Sequence, residues 1–190
     1  SHKLSQMANI LVIAGHGNFN YSTANKTLLA ELEAKFPNAE VRRLSELYPD
    51  FNIDVAAEQA AILKADVIVL AFPLNWYFTP AILKKWMDDV LLHGFAYGTG
   101  AQMGGKKLVV AYTTAGVAEN YLHNNADAAS ETSILAAFKS TAALCGMEFV
   151  GAFVENGYTP NITGDAELAA QQVEKSKAHT ARLIEVLEKL

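Results

Sequence analysis

Cysteine occurs once in the 190 residues, at Cys145. A single thiol closes no internal disulfide and has no partners for a structural metal site. Set in Ala142-Ala143-Leu144-Cys145-Gly146, it is expected to be a buried packing thiol, and a chain without staples fits a reducing cytoplasm. Long apolar runs are also missing. None approaches the roughly 18 residues needed to read as a membrane span. Positive charge is scarce, with 15 Lys and Arg against 20 Asp and Glu and a net charge of −5. That balance gives no basic face for a nucleic-acid backbone, so no nucleic-acid partner is expected. No secretory leader is visible. Ser1 to Gln6 is polar, precedes Met7 and reads as an expression remnant, and the apolar stretch Ile10 to Ala14 is too short for a signal core. Linkers, repeats and low-complexity tracts are absent too, so residues 7–190 are expected to form one domain. Half of the composition is hydrophobic (51%), enough for a sizeable core.

That apolar content is organised. Asn9 to Ala14, Asp66 to Ala71, Lys107 to Tyr112 and Glu148 to Val154 are short and rich in β-branched residues, which predicts parallel strands buried on both faces. Ala39 to Arg43 is more polar and predicts an edge strand. Helical periods fall between them. Ser22 can cap a helix carrying Leu28, Leu29, Leu32 and Phe36 inward. Asp54 can cap one through Ala57, Ala61 and Leu63. Thr79 is a cap with Pro80 at the first helical position, followed by Ile82, Leu83, Trp86, Met87 and Val90. Ser130 can open a helix through Leu135, Phe138 and Leu144 that Gly146 closes. Asp165 can open the last, with Leu168, Val173, Leu183 and Leu187 along it. Five β-α units with short links predict an α/β doubly wound sheet. Five strands favour the flavodoxin-like order 2-1-3-4-5, with helices on both faces.

In such a sheet, ligands bind beyond the carboxyl ends of the strands where the order reverses. This selects the loops Gly15 to Thr23, Pro73 to Thr79 and Thr113 to Ala129. The first has two readings. Gly15 and Gly17 begin a dinucleotide fingerprint, but its sixth position is Asn20 and the loop runs on too long. No acidic residue ends the second strand. Arg42 and Arg43 stand there, which leaves open an NADP-selective variant. The other reading is a phosphate cradle, in which a helix start near Ser22 aims N–H groups and a positive dipole end at the loop, with donors from His16, Ser22 and Asn25. Ser22 also reads as a plain cap. Gly100 to Lys107 approximates a P-loop but lacks the final Ser or Thr and precedes a strand, so it is set aside. Pro73 to Pro80 places Trp76, Tyr77 and Phe78 in a row. Such a loop can wall a flat heteroaromatic ring, plug a gap between helices or meet another subunit. Thr113-Thr114-Ala115-Gly116 is small enough for backbone to approach a ring, and the long stretch after it carries Glu119, Tyr121 and His123. No metal-ligand spacing is apparent.

Together these segments resemble the NAD(P)H:quinone oxidoreductase family with a flavodoxin-like fold. They are closest to its short bacterial branch, which includes the oxidoreductase ancillary to glutathione-gated potassium efflux. The likeness runs from Asn9 to the last helix. It rests on His16 with Ser22 and Ala24-Asn25, on Leu47 to Asp54, on Phe72 to Tyr77, on His93 to Gly98 and on Thr113 to Gly116. It implies that His16, Ser22, Ala24 and Asn25 hold the flavin phosphate side. Pro73, Leu74, Asn75, Trp76, Tyr77, Thr113, Ala115 and Gly116 would hold the ring. It further implies a homodimer with sites at the subunit seam, and hydride transfer from NAD(P)H through the flavin to a quinone in a ping-pong cycle. FMN is favoured because little chain beyond Val154 remains for an adenine pocket, with FAD, as in longer relatives, the alternative. In mammalian relatives a tyrosine and a histidine after this turn donate to the reduced ring. Tyr121 falls at the tyrosine's offset. Asp127 occupies the histidine's offset, His123 lies four residues early, and Ala115 stands where glycine is common. Two other functions fit the same resemblance. One is a regulatory accessory subunit at the periphery of a membrane potassium-efflux system, and the other is an FMN electron carrier. An azo- or nitroreductase range of acceptors is also compatible with such a site.

Overall fold

The computed structural model describes residues 7–17, 23–121 and 131–190. Five parallel strands form one sheet: β1 (Ile10–Ala14), β2 (Glu40–Arg43), β3 (Val67–Pro73), β4 (Lys107–Thr113) and β5 (Glu148–Glu155). Their order is β2-β1-β3-β4-β5, the expected one. The helices are α1 (Thr23–Lys35), α2 (Leu44–Leu47), α3 (Val55–Lys64), α4 (Ala81–Val90), α5 (Glu131–Leu144) and α6 (Ala166–Leu187). Strands β1, β3 and β4 are buried because helices cover both faces. Leu11, Ile13, Ile68, Leu70, Leu108 and Val110 pack with Ile82, Trp86 and Phe138 on one side. Val12, Val69, Val109 and Ala111 pack with Leu28, Leu29, Leu32, Leu183 and Leu187 on the other. Cys145 is buried, as expected, and burial pushes its thiol pKa up.

Several details differ from expectation. Strand β5 is half-buried through most of its length, because it is an edge strand with one neighbour and a register shift opposite Leu108 and Val109. Helix α4 starts one residue later than its proline suggested. Pro80 is the N-cap and contributes no side-chain bond, while the Thr79 hydroxyl is buried without a hydrogen-bond partner among the described residues. Asp54 and Asp165 do cap α3 and α6, accepting from Ala57 N and from Glu167 N and Leu168 N. In α3 Glu58, Ala61 and Ile62 are buried while Leu63 is exposed, and Leu144 of α5 is exposed too. The buried face of α6 is partly polar, with Gln172, Ser176 and Thr180 ahead of Leu183 and Leu187. Leu168 and Val173 are only half-buried. The one-turn helix α2 was not anticipated, and Ser130, the expected cap of α5, lies outside the described residues.

Candidate functional site

The three central strands end in a row, Ala14 paired with Ala71 and Ala71 with Ala111. The first residue beyond each of β1, β3 and β4 is pinned to a neighbouring strand. Gly15 N donates to Ala71 O at 2.9 Å, Leu74 N to Thr113 O at 2.8 Å and Thr114 N to Glu155 O at 2.8 Å. Gly15 is required sterically, since a Cβ there would lie 2.6 Å from Leu83 Cβ on α4. The loops therefore converge on one cleft of about 220 Å³. Of the residues singled out in the sequence, His16, Ala24, Asn25, Pro73, Leu74, Asn75, Thr113 and Ala115 line it.

One end of the cleft is formed by the start of α1. First-turn N–H groups have no acceptor within their own helix, and Thr23, Ala24 and Asn25 bring this turn to the wall. No acidic residue sits in the turn, so the positive end of the helix dipole is not offset there. Asn25 Nδ2 also donates to Thr113 Oγ1 at 3.2 Å, tying α1 to the end of β4. The His16 pKa falls to about 4, first through burial and second through Lys26, so its ring is neutral at pH 7. Ser22 belongs to this end by sequence but lies outside the described residues.

The other end is built by the turn after β3. Asn75 N donates to Phe78 O at 2.9 Å and Phe78 N to Asn75 O at 3.0 Å. The two residues between, Trp76 (φ 48°) and Tyr77 (φ 65°), are both left-handed. Two consecutive positive φ values define a type I′ turn, ordinarily made of Asn and Gly. Holding two large aromatics there is strained, a pattern that clusters at functional positions. Trp76 is 93% exposed and Tyr77 56%. Neither ring lines the cleft within the single chain; both project from its rim. Phe78 turns inward and stacks on Phe138 at 5.9 Å.

Gly116 does not line the cleft either, but its carbonyl accepts from Thr114 Oγ1 at 2.8 Å and from Gly157 N at 2.9 Å. Tyr121 ends the 3₁₀ turn Ala118–Tyr121. It folds back so that a Cβ on Gly116 would lie 2.8 Å from its Oη. His123 lies outside the described residues.

A fourth wall was missed from sequence. Tyr158, Thr159, Pro160 and Gln172 complete the lining. Gln172 Nε2 donates to Thr159 O at 2.7 Å, and Ser176 Oγ to Ala24 O at 3.0 Å. The available signal was the i, i+4, i+8 spacing of Gln172, Ser176 and Thr180, a polar stripe on the face that α6 turns inward. Arg42 and Arg43, in turn, are both engaged by carboxylates. Arg42 pairs with Glu58 at 2.6 Å and Glu40 at 2.9 Å, and Arg43 pairs with Glu33. With this strand order and these pairings, the dinucleotide reading of the first loop loses its support. Among the described residues no cluster could hold a metal ion, and no helix is long and apolar enough to cross a membrane.

The sequence model of a family described by its flavodoxin-like fold matches residues 8–180. The glutathione-regulated potassium-efflux system ancillary protein KefF of Klebsiella aerogenes is 40% identical over 178 residues, covering 93% of this chain and 95% of that protein. KefF of Salmonella typhimurium is 44% identical over 149 residues, covering 76% and 81%. Among solved structures, general stress protein 14 of Treponema denticola, in complex with FMN, superposes with a TM-score of 0.82 at 30% identity, covering 94% of this chain and 99% of that one. The NADPH-quinone reductase of P. pentosaceus superposes at 0.73 with 23% identity, covering 90% and 97%, a likeness of fold.

Proposed function

This chain belongs to the flavodoxin-like fold family, and on that premise we propose that it is a flavin-dependent NAD(P)H:quinone oxidoreductase that uses FMN. The observation that carries the reading is the cleft itself. One end offers a helix start without carboxylates and the other a left-handed aromatic turn. That donor set fits a phosphate at the first end and a flat ring at the second. His16, Ser22, Ala24 and Asn25 would hold the phosphate side. Pro73, Leu74, Asn75, Thr113, Ala115 and Gly116 would hold the ring, with Trp76 and Tyr77 at its rim. The match to an FMN complex at 30% identity supports FMN over FAD.

A bound flavin supplies a two-electron hydride acceptor and donor. The chain's part is to orient the ring, exclude water and place donors where negative charge develops. Tyr121 Oη, held above Gly116, is the first such donor and His123 the second. One cleft serving NAD(P)H and quinone in turn calls for ping-pong kinetics, with parallel double-reciprocal lines. The direct experiment is the visible spectrum of the purified protein, with the released cofactor identified by mass. A yellow protein, or an apoprotein restored by FMN, is expected, and failure to bind FMN or FAD at micromolar concentrations overturns the reading.

The KefF relatives support a second role beside the first. By name they are ancillary to a potassium-efflux system. We place this chain likewise in the cytoplasm as a homodimer that docks peripherally on a membrane transporter. Co-purification with such a transporter tests that role, and loss of the association with redox activity intact would separate the two.

A further inference from the structure

Behind the cleft wall, the last residue of β5 carries a buried carboxyl. The Glu155 side chain is 5% exposed, and its Oε2 has no hydrogen-bond partner among the described residues. The nearest cation-forming group is His179 Nδ1, at 3.6 Å from Oε2. Tyr158 Oη lies 3.3 Å from the same nitrogen, close enough to Glu155 to favour its charged form. Tyr158 also forms part of the cleft wall. The cluster also borders an open hollow of about 320 Å³, lined in part by Glu155, Asn156, His179 and Arg182. The cluster thus touches the cleft through Tyr158 and the hollow through Glu155 and His179.

It is also wired to the cleft through the backbone. Glu155 O accepts from Thr114 N, Tyr158 N donates to Thr114 O, and Gly157 N donates to Gly116 O. Thr114 Oγ1, which donates to Gly116 O, also lies 2.7 Å from the side-chain amide of Asn156. A movement of Glu155 or Tyr158 therefore reaches the Thr113–Gly116 wall directly.

Resting on the flavin reading, we infer that Glu155 is a positioning residue whose carboxyl takes up a proton when an anionic flavin fills the cleft. The proton comes from solvent through the hollow. One O–H bond forms on the carboxyl, and no other covalent bond changes. Two physical effects favour this. An ionised carboxylate behind the wall repels a ligand phosphate through a poorly screening interior. The neutral form is also the less costly one in a buried site where Oε2 has no hydrogen-bond partner among the described residues. The groups facing Glu155 are Tyr158 from the following loop and Lys175, His179 and Arg182 from α6, while Thr114, just beyond β4, gives its N–H to the Glu155 backbone carbonyl. Burial raises the Glu155 pKa to about 7, outweighing the opposing effects of Tyr158, Arg182 and Lys175. Burial, then Arg182 and Lys175, lower that of His179. The carboxyl is therefore divided between its two states near neutral pH, and the imidazole is neutral.

The test is calorimetric titration of apoprotein with FMN at pH 7.5 in two buffers of different ionisation enthalpy. Wild type is expected to take up about half a proton per flavin and Glu155→Gln clearly less. The same difference should persist in a His16→Asn background, which removes the other titrating group near the phosphate. The FMN Kd of wild type should also weaken about 3- to 10-fold more than that of Glu155→Gln between pH 6 and 8. Should Glu155→Gln not fold, Tyr158→Phe and His179→Gln are read in the same way. Equal uptake in wild type and variants, with FMN bound by all, overturns the inference and leaves the flavin reading standing. No FMN binding by wild type overturns both.

Discussion

Asn25 Nδ2 donates to Thr113 Oγ1 across 3.2 Å of buried space, and 88 residues of chain separate the two. This bond closes the cleft at its base by joining the start of α1 to the end of β4. Removing either partner takes away one buried hydrogen bond, at about 0.5–1.5 kcal/mol. Asn25→Ala and Thr113→Val are each expected to lower unfolding free energy by that amount and to weaken FMN binding about tenfold. A double-mutant cycle by urea denaturation should show a coupling of about 1 kcal/mol. Additive effects would mean that the bond contributes nothing beyond the packing of its parts.

Tyr121 should act late. If its hydroxyl donates only as charge arrives, Tyr121→Phe leaves flavin affinity nearly unchanged but slows flavin reduction by NAD(P)H, by the equivalent of about 2–4 kcal/mol. Stopped-flow reduction of Tyr121→Phe and His123→Ala measures both donors. Reduction at the wild-type rate in Tyr121→Phe would assign that ring to packing over Gly116.

The strained turn predicts a trade between stability and assembly. Trp76→Gly or Tyr77→Gly removes a left-handed bulky residue, which should stabilise the isolated subunit by about 1 kcal/mol. Both rings are exposed in the single chain, and large exposed aromatics mark a contact surface. A two-fold dimer is therefore expected by light scattering, with Trp76→Gly shifting it toward monomer. A strictly monomeric, fully active wild type would contradict this.

Two opposing titrations should shape the pH dependence of apoprotein stability. His16 has a folded pKa of about 4 against 6.5 unfolded, so the unfolded chain binds more protons between those values. Its effect is to make stability fall as pH drops from 6.5 toward 4. Glu155 has a folded pKa of about 7 against 4.5. Its contribution is complete below 4.5 and is lost as pH rises through 7. Thermal melts across pH 4–8 should show His16→Asn flattening the acid limb and Glu155→Gln the neutral limb. Identical profiles in all three proteins would show that neither group titrates as stated.

Gly15 offers a steric test. The atom that an added Cβ meets is Leu83 Cβ, the root of its side chain, which cannot swing aside. Gly15→Ala should cost about 1–3 kcal/mol through overpacking. In a Leu83→Gly background, which removes that Cβ, most of that cost should disappear, unless Gly15 matters for some reason other than space.

The sheet was legible because β-branched runs such as Val67 to Ala71 read as buried strands, and four of them with one polar edge strand leave few orders. Composition does not reveal which strand is flanked on one side only, so the half-burial of β5 was not legible. Helix α2, four residues directly after β2, is too short to show a period. The phosphate end and the two central loops could be read because they come directly after their strands. Tyr158 and Gln172 could not, since Tyr158 comes from the loop after β5 and α6 delivers Gln172 on a polar stripe that resembles a solvated face. Glu58 was equally hidden. A glutamate in the first turn of α3 reads as a surface residue, and what buries it lies 10, 16 and 28 residues away.

That glutamate has a further consequence. Glu58 is fully buried and accepts from Arg42 Nε at 2.8 Å, Tyr48 Oη at 2.5 Å and Trp86 Nε1 at 3.0 Å. Removing Glu58 strands Tyr48 and Trp86 in an apolar interior and leaves Arg42 with Glu40 alone, at about 3–5 kcal/mol for a broken buried pair. An apolar replacement of the whole set could be tolerated. The four positions are thus inherited as a block. Descent by single substitutions is obstructed there, and relatives should carry either the complete quartet or a wholly different filling, with few intermediates between them.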